Sequence, residues 1–539
     1  MKTKRKKHLF LFIPVLIAAL AAAAWLVFLR AEMSSAPEPG DLAERFLDRC
    51  CAEDWQGAAG LIAGMEEPQP ANPPETDNGK LLYEALRASW SGTVVGESEA
   101  SFKKAHQKIS ISYLDLEKLS ENLDTELNAV LARMVEEATL ASQVYNEDKS
   151  YKSETLQAAF QEVLSARCAQ PEQYRSETEL DLSLEYRDDK WRLLNGDELS
   201  KAMLAWADTE ADAMAEKLFA GAAAEPVYVP KHYTIEEKAL SGPVPLASNF
   251  GETDDASVIE ALLNTPEAAA LIGDRTLVWN AEIELIPDTV IHYYLDETIL
   301  VLVWQEEEAQ AVGTFSEVIV ADGSQLRRKI AGDEYQSFDF KTTTEFSQLT
   351  NGVLTLGGDF YHHDRSCGVV VYDRQVLRFD PDTCDTCYVT AAGDLLFSYR
   401  GQFQKWEEAQ AFVDENDILY SLCFGPVLID NGQDVTPEQY QWGEINDTYA
   451  RSALGLIDPL HYLTMNINCQ QPGYYYLATL RQAADAMIEK GCVKAYTLDG
   501  GQTATTVFNG QLINPVQFGW EKPISDVIYF ATALPEAAG

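Results

Sequence analysis

The sequence predicts an α+β protein in which one N-terminal apolar helix leads into two folded regions of different texture. Three observations predict it. An apolar run at residues 9 to 29 stands behind a basic tip. Helical and strand-like patterns then mix between residues 41 and 207. From about residue 275 strands and turns dominate, interrupted by one clear helix.

The apolar run follows Lys2, Lys4, Arg5, Lys6 and Lys7. About 20 apolar residues cross a bilayer core, and basic residues stay on the cytoplasmic side. Residues 1–40 therefore read as a cytoplasmic tip, a transmembrane anchor and a short stalk, with the bulk of the chain extracytoplasmic at a cell membrane. The competing reading is a cleaved signal peptide, for which Ala21 to Ala24 offer small residues. Trp25, Leu26, Val27, Phe28 and Leu29 continue the run beyond them, which favours an uncleaved anchor.

Residues 41–207 read as one α+β domain. Asp41 can cap a helix with Leu42, Phe46, Leu47 and Cys50 on one face. Ile109, Ile111 and Tyr113 alternate as in a strand. A long helix is expected to bury Leu123, Leu127, Leu131, Met134, Ala138 and Ala141. Leu180, Leu182, Leu184 and Tyr186 alternate again, with a turn at Asp188 and Asp189. A leading helix followed by a curved antiparallel sheet resembles the NTF2-like or cystatin-like α+β cone. Residue types that do chemistry do not cluster there, so it reads as a spacer or interaction domain with an unknown protein partner.

Residues 208–285 read as linker and lead-in: 208 to about 245 are rich in Ala, Glu and Pro, and residues 220–226 read as a linker after a short helix. Residues 286–535 read as the second domain. Residues 298–304 and 315–321 are expected buried strands, followed by strands at 353–356 and 368–372. A helix from Thr479 to Lys490 is expected to end at Gly491, a C′ glycine.

A chain of 539 residues is too long for one core. The first thirty residues hold six of the 41 basic residues and no acidic ones, leaving 35 basic against 85 acidic residues beyond them. Such a surface repels nucleic acid and anionic lipid. An anionic ligand would need a local basic cluster. Of nine cysteines, Cys384 and Cys387 form a single CxxC. Four ligands make a structural zinc site, and His362 and His363 could complete a set only through the fold. The pair reads as buried thiols or a local disulfide before a metal site. No metal or cofactor is expected.

Several stretches place polar residues at strand ends and turns. They include Ser324-Gln325-Leu326-Arg327, Gly358-Asp359-Phe360-Tyr361, Phe424-Gly425-Pro426 and Arg451-Ser452-Ala453. Further along come Gln471-Pro472-Gly473-Tyr474, Leu498-Asp499-Gly500-Gly501 and Glu521-Lys522-Pro523-Ile524-Ser525-Asp526. Each alone is a common turn or cap. Together and in this order they resemble the phosphodiester glycosidase family. The pattern departs at three places. Gly357 stands where the family has Asn. Gln502-Thr503-Ala504-Thr505 replaces a Gly-Ser-Ser-Thr run, retaining a hydroxyl at Thr503. Lys522 stands for Arg, keeping the charge and losing the bidentate fork.

The resemblance implies a mixed-sheet α/β domain over 286–535 that hydrolyses glycosyl-1-phosphodiesters, with envelope glycopolymers as one possible source. It implies Asp499 and Glu521 as catalytic carboxylates and Asp359 as a third. Such a bond breaks through an oxocarbenium-like centre that a carboxylate stabilises or attacks. The departing phosphate monoester needs cations or N–H donors. Arg451 is the candidate clamp, helped by Lys522, Arg327, the amides of Gly500 and Gly501, and Thr503. The alternative is a catalytically weak carbohydrate-binding or envelope interaction protein. Whether Asp359, Arg451, Asp499 and Glu521 line one cleft discriminates between the two.

Overall fold

The computed structural model describes residues 21–24, 38–52, 54–65, 74–101, 103–146, 148–196, 198–199, 211–308, 311–332, 335–359, 368–440, 447–468 and 477–535. Among them no helix is long and apolar enough to cross a membrane. The expected anchor lies outside them apart from residues 21–24, which are helical. His362, His363, Cys367, Cys469, the Phe360-Tyr361 pair and the Gln471–Tyr474 turn also lie outside them. The chain divides into two compact units at Val227 and Tyr228.

In the first unit the Pro39–Cys51 helix buries Leu42, Ala43, Phe46, Leu47 and Cys50. They pack on a four-stranded antiparallel meander formed by Ser91–Ser101, Lys104–Leu114, Arg175–Arg187 and Lys190–Leu193. The Leu123–Glu137 helix buries Leu123, Leu127, Leu131 and Val135. Val135 takes the place expected of Met134, because a strict four-residue spacing continues the stripe through 135. The helix ends at Glu137, so Ala138 and Ala141 lie beyond it. The short helix expected ahead of residues 220–226 is present. Ala and Glu are strong helix formers, and the Ala211–Ala222 helix packs on the Asp77–Ser89 helix.

The second unit is built on two facing sheets. The larger has nine strands, in the order Gln433–Asp434, Val427–Asp430, Lys494–Leu498, Arg451–Asp458, His461–Asn468, Ala311–Val320, Ile299–Glu308, Ile291–Leu295 and Phe250–Thr253. The lead-in therefore supplies an edge strand. The smaller runs Gln511–Leu512, Thr506–Phe508, Leu354–Gly357, Asp526–Phe530 and Leu326–Ile330. Ile299, Val301 and Val303 face the smaller sheet, sharing a core with Leu354, Leu356, Ile528 and Phe530. Leu300, Leu302 and Trp304 point the other way, into a core with the Leu480–Glu489 helix. Alternate residues serve opposite faces, so the strand reads as an unbroken apolar run because both faces are covered.

A mixed α+β architecture is what the chain has. Its sheets, however, correct the expected mixed α/β domain. Every pairing between named strands is antiparallel. Where consecutive strands meet across a tight connection, as from Asp458 to His461, only a hairpin is possible, because parallel strands need long crossovers. The late helix has Thr479 as N-cap, with a capping box to Gln482. Gly491 follows at φ +88°.

Candidate active site

The site lies where the ends of the two sheets meet. Asp499 follows the Lys494–Leu498 strand of the larger sheet, and Asp359 follows Leu354–Gly357 of the smaller. The Asp499 amide donates to the Gly358 carbonyl at 3.1 Å, joining the two ends. Asp526 opens the neighbouring strand. Its carboxylate sits where a side chain on Gly358 would point, 2.2 Å from the position of a Cβ. Gly358 therefore cannot carry one, which is the physical reason for glycine before Asp359.

Arg328 binds these elements together. Its Nη2 donates to Asp359 Oδ1 at 2.8 Å and its Nε to Asp526 Oδ2 at 3.0 Å. The remaining Nη1 donates to the Ser421 carbonyl. Asp359 Oδ2 also accepts from the Cys423 amide at 2.7 Å. All three charged side chains are sealed from solvent, at 0–1% exposure. Two carboxylates on one buried guanidinium leave an excess negative charge in a poorly solvated place. Burial, with the Asp359 charge adding and Arg328 opposing, pushes Asp526 well above the usual carboxylate range. Asp526 is thus the group suited to hold a proton.

Asp499 is different. It is tightly surrounded by protein yet keeps a partly exposed edge. Burial is the largest influence and pushes its pKa up to about 7. A hydrogen bond with Thr503 and the charge of Lys522 oppose the rise, Asp359 adds to it, and the Gly500 amide bonds the carboxylate. A carboxyl poised near neutrality at a solvent-reachable edge has the form of a working acid or base.

The other expected site residues divide. Thr503 and exposed Lys522 stand beside Asp499. Gly500 and Gly501 adjoin it, but their amides are engaged, the first on Asp499 and the second on the Ala450 carbonyl at 2.8 Å. Asp359 is inside the site but buried, paired with Arg328, and its charge helps raise the Asp499 carboxyl. Arg451 opens the adjacent strand, yet its Nε donates to the Ala478 carbonyl at 2.9 Å and its Nη2 to that of Asp447 at 2.7 Å. Its guanidinium also lies over the Tyr449 ring. Those contacts make it a brace between chain segments. Glu521 accepts from the Thr344 amide at 3.0 Å and its hydroxyl at 2.6 Å. It adds an anionic acceptor at the N-terminus of the Thr343–Thr350 helix, which Thr342 and Glu345 already cap.

Arg327 lies on the other side of its strand. It donates to Tyr529 Oη and to the carbonyls of Ser324, Glu236, Glu237 and Ala239. Strand alternation sends its neighbour Arg328 into the carboxylates instead. Arg328 and Asp526, which join Asp359 in this buried cluster, are residues that sequence reading did not single out. Asp526 stood in the last quoted stretch, and Arg328 one place beyond the first. Cys384, Cys387 and Cys423 are buried close by, and burial pushes the Cys387 thiol up. Among the described residues no His, Cys, Asp and Glu cluster is arranged to hold a metal ion.

The run from the strand before Asp359 to the strand opened by Asp526 can now be set beside known proteins. Residues 350–531 match the phosphodiester glycosidase family. The phosphodiester glycosidase match takes in Asp359, Arg451, Asp499, Thr503, Lys522 and Asp526, and leaves Arg328 and the edge strand at Phe250–Thr253 outside it. Two solved structures are similar to the chain. One is the zebrafish N-acetylglucosamine-1-phosphodiester alpha-N-acetylglucosaminidase catalytic domain, auto-inhibited by its pro-peptide. It is 15% identical, with 43% of this chain and 83% of that chain covered and a TM-score of 0.36. The other is a hypothetical protein from Synechocystis, 12% identical, with 45% and 64% covered and a TM-score of 0.33. No curated protein matches the chain.

Proposed function

We propose that the second unit hydrolyses glycosyl-1-phosphodiesters at the anomeric carbon, with Asp499 as the working carboxylate. The observation that carries this reading is Asp499 itself, a solvent-reachable carboxyl held near neutrality beside an exposed cation, inside a phosphodiester glycosidase match. Ionised Asp499 stabilises the oxocarbenium-like centre or attacks it. The bond from C1 to the phosphate oxygen breaks, and its electron pair leaves with the phosphate monoester. Such a leaving group needs little protonation, so a second acid is dispensable. Lys522 supplies positive charge to the phosphate, and water completes the hydrolysis. Arg328, Asp359 and Asp526 set the field around Asp499 without touching substrate.

The apolar run at residues 9 to 29 supports placing this activity outside the cytoplasm on a membrane tether, and envelope glycopolymers would suit that location. N-terminal sequencing of membrane-extracted protein tests the tether, since a mature chain beginning near Ala22 to Trp25 would exclude it. A second reading, a carbohydrate-binding protein of weak or no activity, is favoured by the engagement of Arg451 and of both glycine amides. Turnover of a synthetic N-acetylhexosamine-1-phosphodiester separates the two. Release of free sugar is expected, and binding without release supports the second reading.

A further inference from the structure

The loop that carries Lys522 also presents aromatic side chains to solvent. Trp520 is 58% exposed and Phe518 46% exposed. An exposed aromatic ring offers a flat apolar face suited to contact with a ligand. This loop is also fastened along its length. The Trp520 carbonyl accepts from Gln502 Nε2 at 3.0 Å, and Gly519 closes a turn onto the Val516 carbonyl at 3.0 Å. Glu521 is held twice by Thr344. An indole on so anchored a backbone is presented in place, which lowers the ordering cost of binding.

Its position follows from the same bonds. Gln502 is three residues beyond Asp499 and adjoins Gly501. Lys522, two residues beyond Trp520, lowers the Asp499 pKa and so stands near its carboxylate. The loop is thus tied to Gln502, three residues from Asp499, and brings the Lys522 charge within reach of its carboxylate. Gln502 is also one of the departures from the family pattern, and this bond gives it a task.

Building on the hydrolase reading, we infer that Trp520 is a stacking platform for a pyranose ring of the substrate, held in place by Gln502. The apolar C–H face of a sugar matches an indole face, while its hydroxyls remain in water. Phe518 extends the platform.

The test measures kcat and KM of the full chain on two probes, N-acetylhexosamine-1-(methyl phosphate) and N-acetylhexosamine-1-phospho-6-hexose. Trp520→Ala is expected to raise KM about tenfold or more with kcat little changed, and Trp520→Phe to restore most of the loss. Gln502→Ala is expected to raise KM by a smaller factor. An effect on both probes assigns the ring on the scissile side, and an effect on the second alone assigns the ring beyond the phosphate. Unchanged KM on both probes overturns the inference. Calorimetric binding of the same probes keeps it separate from the hydrolase reading. If the unmodified chain binds without turnover and Trp520→Ala abolishes binding, the platform stands and the hydrolysis falls.

Discussion

Replacing Asp499 by Asn should remove activity and add stability, and both effects follow from one number. Burial raises the carboxyl from an ordinary 3.8 to about 7. At 1.36 kcal/mol per unit the ionised form is disfavoured by up to about 4 kcal/mol, and by about 2 kcal/mol once its partial exposure is allowed for. The sign is that of a raised acid. Stability is full below the unfolded pKa near 4, falls as pH rises toward 7, and stays low above it. Asn carries no charge and escapes that loss. Folded Asp499→Asn should therefore outlast the parent at pH 8 by a few degrees in Tm. The gap should shrink by about 1–2 kcal/mol at pH 5. Turnover should fall about 10³-fold or more, since a carboxylate acting in the transition state is lost. In the parent, kcat/KM should rise through an apparent pKa near 7, because the ionised form works. The assay is release of free sugar from an N-acetylhexosamine-1-phosphodiester, with calorimetric melts at both pH values. Near-normal turnover in the folded variant, or a lowered Tm at pH 8, would refute the reasoning.

The braces and caps around the site should answer differently. Glu521→Ala should lower stability by about 1–2 kcal/mol through the lost acceptor at the helix N-terminus and leave kcat within a few-fold; a thousandfold fall in kcat would return it to the catalytic set. Arg451→Lys should lower Tm by weakening the bonds to Ala478 and Asp447, with KM little changed; a large rise in KM at unchanged Tm would make it a phosphate clamp. Arg328→Met should cost about 3–5 kcal/mol in denaturant melts, because two buried carboxylates lose their shared cation. A fragment of residues 228–539 should melt in one cooperative step; aggregation in the absence of the first unit would show that it cannot stand alone.

Much of this arrangement was legible because burial leaves a period. The Ile299–Glu308 and Ala311–Val320 strands announced themselves as apolar runs, and the late helix by Thr479 and Gly491. Asp499 was legible from a strand followed by two glycines. Direction along a sheet was not, because strand composition records which faces are covered and not which neighbour is adjacent. The short helix before residues 220–226 was legible, but its packing was not, since Ala and Glu suit an exposed tether and a packed helix alike. The Ala478 carbonyl that holds Arg451 and the Thr344 amide and hydroxyl that hold Glu521 were invisible because they lie far off in sequence, and a backbone group carries no letter. Arg328 was hidden beside Arg327. Two adjacent arginines look equivalent until alternation sends one into the carboxylates and the other to the carbonyls of Glu236, Glu237 and Ala239.

The absence of a side chain at Gly357 has a consequence for how this sequence can change. A Cβ there would stand 2.2 Å from the Thr503 carbonyl oxygen, a backbone atom that cannot rotate aside. The Asn of the family pattern is therefore excluded while the turn at Gly501–Thr503 keeps its present path. That turn carries Gln502 and Thr503, which also depart from the pattern. Position 357 and the path of the Gly501–Thr503 turn are therefore sterically coupled in this structure. Restoring Asn alone should fail, and restoring the Gly-Ser-Ser-Thr run alone would not reopen the space unless the carbonyl moved with it. Single-substitution scans would score position 357 as closed, and only a joint exchange of both segments could show that it is conditional.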